Sequence, residues 1–179
     1  MTNNVLHIVP RIMKLQHTLL FLFLAVLTSC NSTLLKEELM LFENDDTSIK
    51  GEEVITSTIE DEVFNAVNMH REEIGLKKLT FSNVAYKYAD EHNKYMIAKG
   101  KISHDNFNTR ASLLASETGA AIIKENVAKN YPKAKQAING WLNSKSHKNT
   151  IEGDFTHTTI SVKADENGKL YYTQLFYRK

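Results

Sequence analysis

Three short segments of the chain carry side chains suited to chemistry: Ser103-His104-Asp105, Glu125-Asn126-Val127-Ala128, and Asn143-Ser144-Lys145-Ser146-His147-Lys148-Asn149. Two imidazoles and a carboxylate, on segments far apart in sequence, can share protons or hold a divalent cation if the fold brings them together. Nothing in the spacing alone does so, and polar residues scattered over the surface would give the same letters. No Walker loop, HExxH, GxSxG, CxxC or GxGxxG run is present, which sets aside several large enzyme classes. The one cysteine, Cys30, stands far from all three segments.

The elements that must position these residues begin near Ile59. Ile59, Val63, Val67 and Ile74 recur at helical spacing, with Ala66 and His70 beside them and Gly75 placed to end the helix. Ser82 or Asn83 caps a second predicted helix that runs to Lys99 and stops at Gly100. Its inner stripe is Ala85, Ala89, His92 and Met96, with Tyr88 and Tyr95 at the margins; His92 on such a stripe reads as a satisfied core histidine rather than a ligand. A third helix is expected from about Pro132 to Asn143, carrying Ala134, Ala137, Ile138 and Trp141, with Gly140 an unfavourable residue inside it. Thr158–Lys163 alternates, Ile160 and Val162 against Thr159 and Ser161. With Asn167-Gly168 and Leu170–Tyr177 it predicts a hairpin with a type I′ turn. Helices first and a hairpin last indicate an α+β or layered sandwich.

Ahead of this domain, Arg11, Lys14 and His17 precede an apolar run, Leu19–Leu27, and then Thr28, Ser29 and Cys30. A basic stretch, a short apolar run and small residues are the pattern of an export signal. The run is too short for a bilayer core that needs about 20 helical residues. Met13 is an alternative start. Residues 1–29 are read as the signal, 30–58 as a lipidated N-terminus and polar tether, and 59–179 as the folded domain. Leu34, Leu35, Leu39, Met40 and Leu41 allow a short surface or packing helix within the tether instead.

The chain has 179 residues, 42% hydrophobic and 24% charged, with net charge +1. Without Arg11 and Lys14 the remaining 20 basic and 21 acidic side chains leave a charge of −1. Such a balance gives no electrostatic footprint for nucleic acid, so none is expected as a partner. A single cysteine permits no internal disulfide, so packing and hydrogen bonds must hold the domain.

Two resemblances sharpen this reading. Leu27-Thr28-Ser29-Cys30 resembles the bacterial lipobox, which implies a diacylglyceryl thioether on Cys30, membrane anchoring through its acyl chains and a place in the cell envelope. Asn31 is not the aspartate that retains some lipoproteins at the inner membrane, which favours an outer membrane where one exists.

Residues 60–178 resemble the CAP superfamily (cysteine-rich secretory proteins, antigen 5, pathogenesis-related 1), in particular its disulfide-free bacterial branch. The matching segments are Val67–Arg71 with Gly75–Leu79, Ala89–His92 with Met96, Ile102-Ser103-His104, Lys124–Ala128, Trp141–Ile151 and Tyr172–Phe176. The resemblance implies a three-layer α-β-α sandwich with a central antiparallel sheet and a cleft lined by His104, His147 and Glu125. His104 and His147 would be the metal ligands, with zinc or another divalent ion as cofactor. Ser144 stands where animal members carry a second acidic residue. Lys124, Thr159 and Ser161 stand where the family has glycines, and the loop after His104 is short. The expected function is an envelope-anchored domain whose cleft binds a small-molecule, lipid or peptide ligand or a partner. The alternatives are a metal-dependent hydrolase of peptide or cell-wall material and a structural domain with a vestigial cleft.

Overall fold

In the computed structural model the backbone is described from Asn31 to Lys179 and the side chains from Lys50, except Glu52. Cys30 and the export signal lie outside the described residues. The chain divides into two units at Lys50/Gly51. Of the first, what is described is helical backbone over residues 31–50; the sheet, the core and the remaining helices belong to the second.

The first helix, α1 (Asn31–Glu73), is followed by β1 (Thr80–Phe81), α2 (Asn83–Lys99), α3 (Phe107–Thr118), β2 (Ile122–Lys129), α4 (Ala134–Leu142), α5 (Lys145–Ile151), β3 (His157–Ala164) and β4 (Leu170–Arg178). The tether expected over residues 30–58 is therefore helical from Asn31, with no break at residue 58. That stretch contains no proline and one glycine, and its many Leu, Glu and Lys residues sum to a favourable propensity without needing an apolar stripe. No described helix is long and apolar enough to cross a membrane.

The four strands lie in the order β1-β3-β4-β2. β4 is central and antiparallel to both neighbours, while the two-residue β1 is parallel to β3. Strand alternation sends Ile160, Val162, Tyr172, Phe176 and Ala128 to one face, where Ile59, Val63 and Val67 of α1, Trp141 of α4 and Ile151 of α5 cover them. Leu175 and Tyr177 point to the other face and meet Ala85, Tyr88 and Ala89 of α2 and Leu114 of α3. The result is the expected α-β-α sandwich.

Caps and turns fix the element ends. Ser82 accepts from the Ala85 N–H and starts α2; Gly100, at φ +67°, ends it. Two details differ from the sequence reading. Ile74 lies past the end of α1 and is 47% exposed rather than on the buried stripe. The hairpin does not use a type I′ turn at Asn167-Gly168. Gly168 alone takes positive φ, and the Asp165 carbonyl accepts from the Gly168 N–H while the Asp165 N–H donates to Lys169. This is a type I turn closed by a left-handed glycine, selected because the Asp165 carboxylate accepts from the Asn167 and Lys169 N–H groups, both at 3.0 Å.

The third predicted helix begins at Ala134, two residues after Pro132, and Asn143 is its C-cap. Gly140 has a packing reason: a Cβ there would stand 2.8 Å from Cζ of Tyr131. Trp141 is 2% exposed, and its Nε1–H donates to the Val127 carbonyl at 3.1 Å, joining α4 to β2. Trp141→Ala is expected to cost about 3–5 kcal/mol in denaturant unfolding; a loss below about 1 kcal/mol would contradict this placement.

Candidate functional site

β2 is an edge strand of the sheet, and the candidate site is built on it. Glu125 lies on the α2/α3 face with its side chain 2% exposed. One oxygen, Oε2, takes the Arg110 Nε–H at 2.9 Å and an Nη2–H at 2.7 Å, the two-pronged geometry that suits a guanidinium to a carboxylate. The other, Oε1, stands 2.9 Å from Nδ1 of His104. A carboxylate already held by arginine is an acceptor here, so Nδ1–H donates and Nε2 is the ring's free nitrogen. The hydrogen bond to Glu125 raises the His104 pKa above its ordinary value, against an opposing effect of partial burial.

The loop that carries His104 is fixed from below. His92, buried on α2, donates Nε2–H to the Ser103 carbonyl at 2.8 Å and lies 3.7 Å from Glu125 Oε1. Burial lowers its pKa despite the carboxylate. It is the core histidine expected from its stripe, and it also holds the residue preceding His104. Tyr95, stacked on His92, donates its hydroxyl to Asp105 at 3.0 Å, and Arg110 Nη1 reaches the Asp105 carbonyl at 3.3 Å.

On the opposite face, His147 lies in α5 and its carbonyl accepts from Nδ2 of Asn126 at 3.1 Å. Its Nδ1 is buried without a hydrogen-bond partner. Burial lowers its pKa, and the charge of His104 lowers it further. Ser144 is the N-cap residue of α5, half-buried, with no side-chain capping bond. His157 is half-buried and stacked on Tyr177 at 4.7 Å. The structure thus joins His104 directly to Glu125 and ties His147 to the next residue of the strand, Asn126. Arg110 is a site residue outside every matched motif, and His92 and Asn126 lie within motifs but were not among the expected cleft residues.

A zinc centre with three protein ligands does not fit these donors. Both Glu125 oxygens are engaged, one by arginine and one by His104, which leaves two imidazoles. Among the described residues no group of three or more His, Cys, Asp or Glu is arranged to hold a metal ion.

The sequence matches the family model described as "CAP: Cysteine-rich secretory protein family" over residues 64–176. The chain belongs to the CAP family. It is 29% identical over 129 residues to the uncharacterized membrane protein YlbC of Bacillus subtilis (strain 168), spanning 70% of this chain and 36% of that protein. Only about a third of that relative's length is thus represented. Among solved structures, a SCP-domain extracellular protein of Bacillus anthracis superposes with a TM-score of 0.62 at 25% identity, over 72% of this chain and 43% of that one. An outer surface protein of Borrelia burgdorferi gives a TM-score of 0.63 at 19% identity over 69% of this chain and 95% of that one, a likeness of fold. In this CAP domain the departures at Thr159 and Ser161 lie on the buried α2 face of β3; Ser161 bonds Asn93 through both its carbonyl and its hydroxyl.

Removing the arginine tests how the cleft is held. Arg110→Ala leaves a carboxylate buried against an imidazole alone and is expected to destabilise the domain by about 3–5 kcal/mol in equilibrium unfolding. Replacing Arg110 and Glu125 together by Met and Leu should recover much of that loss. A single variant as stable as wild type would show that the pair is not buried in solution.

Proposed function

We propose that this CAP domain works in the cell envelope, lipid-anchored at Cys30, and binds a ligand through the His104–Glu125–His147 cleft without turning it over. The observation that carries the cleft reading is the charge pairing of Glu125. Its negative charge is matched internally by Arg110 and its remaining oxygen by His104. The cleft therefore offers ring nitrogens and no free carboxylate. Such a lining suits a ligand group that accepts hydrogen bonds or carries negative charge, for which a carboxylate is the simplest chemistry. A cation would find no anionic ligand left.

The envelope reading is supported by the relatives, a membrane protein, an extracellular protein and an outer surface protein, and by the lipobox-like residues before Asn31. An outer-membrane position is the finer proposal wherever two membranes exist.

A short peptide with a free C-terminal carboxylate, compared with its amidated form, is the probe for the cleft. At pH 6 the free acid should shift the imidazole NMR signals of His104 and His147 saturably, and the amide should not. Protonated His104 favours the anion, and its pKa is raised. Affinity should therefore be fullest below about 6.5, the ordinary histidine value, and fall as pH rises through the higher folded value. His104→Gln should remove the pH dependence. Equal shifts from acid and amide, or none from either, would sink the carboxylate reading.

The anchor is tested separately in cells. The wild-type chain should incorporate labelled palmitate and partition into detergent, whereas Cys30→Ala should do neither and should retain its leader. Labelling that persists without Cys30 would refute it.

A further inference from the structure

We infer that Asn126 is a positioning residue for His147, and that the adjacent pair Glu125-Asn126 sets the separation of the two cleft imidazoles by gripping one from each face of β2. The inference takes its significance from the binding cleft proposed above, but its test reads the histidines themselves.

Consecutive residues of a strand point to opposite faces. Glu125 is in register with Leu175, which packs on the α2 side, and Asn126 with Gln174, on the other side of the sheet. One peptide unit thus delivers a carboxylate to the layer that carries His104 and an amide to the layer that carries His147. Asn126 is 1% exposed, and its Nδ2–H reaches the His147 carbonyl at 3.1 Å. This is a bond to the residue that bears the imidazole, made inside the protein, where it cannot be exchanged for water without cost. The neighbouring Val127 carbonyl holds Trp141 of α4. Three successive residues of β2 therefore fasten the His104 loop and α3, α5, and α4.

α5 needs such a fastening. At seven residues it is far shorter than a helix that persists on its own. Its C-terminal end is pinned by buried Ile151 and by the Arg71 guanidinium on the Ile151 carbonyl at 2.6 Å. His147 lies one turn earlier, and Asn126 is the side chain that ties that turn to the sheet. Glu125 does the corresponding work for His104, so a shift of β2 carries both imidazoles together and leaves their spacing unchanged.

The test is a double-variant cycle on the full chain, following the imidazole signals of His104 and His147 by NMR as a function of pH. In wild type, His104→Gln removes a positive charge near His147 and should raise the His147 midpoint. In an Asn126→Ala background the same replacement should raise it by less than half as much, because His147 is no longer held at the same distance. Asn126→Leu keeps the size and lacks the N–H donor, so it should behave like the alanine variant. Val63→Ala, a core change in α1 on the same face that alters neither β2 nor α5, should leave the full effect. Retention of the full His104 effect in either Asn126 variant would overturn the inference, and so would failure of both to fold, which would make Asn126 simply a core residue. Loss of the effect with undisturbed carboxylate binding would uphold the positioning role and count against the cleft as the binding site.

Discussion

The buried ion pair between Glu125 and Arg110 is the constraint around which the cleft is arranged. Taking a carboxylate out of water costs several kcal/mol, recovered only when its lone pairs are well matched. Three N–H groups do so here: two from Arg110 and one from His104. Each donor comes from a different piece of chain from the acceptor. Arg110 must therefore sit on the inner side of α3, the chain after α2 must turn so that His104 faces β2, and His92 must hold the preceding carbonyl. Asn106, at φ +58°, begins α3, a conformation asparagine tolerates better than most residues.

The same pair decides the chemistry. A carboxylate bound only to imidazole could serve as a metal ligand or accept a proton from it. Bound to arginine as well, it cannot turn toward a cation without leaving the guanidinium buried and unpaired. His104 then owes both its orientation and its raised pKa to a partner that does not move. His147 has the opposite character. It is more buried than His104, its Nδ1 has no partner, and its pKa is lowered. The two rings differ in proton affinity, so over the range between their pKa values one is charged while the other is neutral. A ligand with an anionic end and a donor beside it would be read by both.

Much of this fold was legible in the sequence wherever one face of an element is apolar and the other wet. The buried portion of α1, α2, α4 and the hairpin follow from periodicity, and the glycines at 75 and 100 mark helix ends as expected. β2 was not recognisable as a strand because Lys124, Glu125 and Asn126 interrupt its alternation; they do so because this edge strand serves the site on both faces. α5 is too short to show a period, and the turn at Asp165 depends on a side chain rather than on the Asn-Gly pair. The histidines and Glu125 were found through family motifs, not through spacing. Arg110 left a signal that could have been read: Phe107, Arg110 and Leu114 fall at helical spacing, and an arginine on an apolar stripe requires a buried carboxylate. His92 was correctly placed in the core, but a core histidine's partner cannot be read from its own helix.

A domain with no cysteine of its own must find other fasteners, and they are buried side chains that bind backbone. Asn68 of α1 accepts from the Leu79 N–H at 2.8 Å and donates to its carbonyl at 3.1 Å, serving as a strand partner at the entry to β1. Arg71, 2% exposed, gathers the carbonyls of Lys77, Ile151 and Gly153, so the end of α1, the approach to β1 and the end of α5 share one guanidinium. On the other face Asn93 donates to the Ser161 carbonyl and accepts from the Thr173 hydroxyl at 2.7 Å, locking α2 across two strands. Hydrogen bonds of this kind contribute little net energy each, but they are costly to leave half-made. They therefore act on uniqueness more than on total stability. A wrong register or helix rotation would strand several buried amides and a guanidinium at once. The cleft depends on that selectivity, because its histidines belong to different layers and only a unique stacking of the layers gives them a fixed separation.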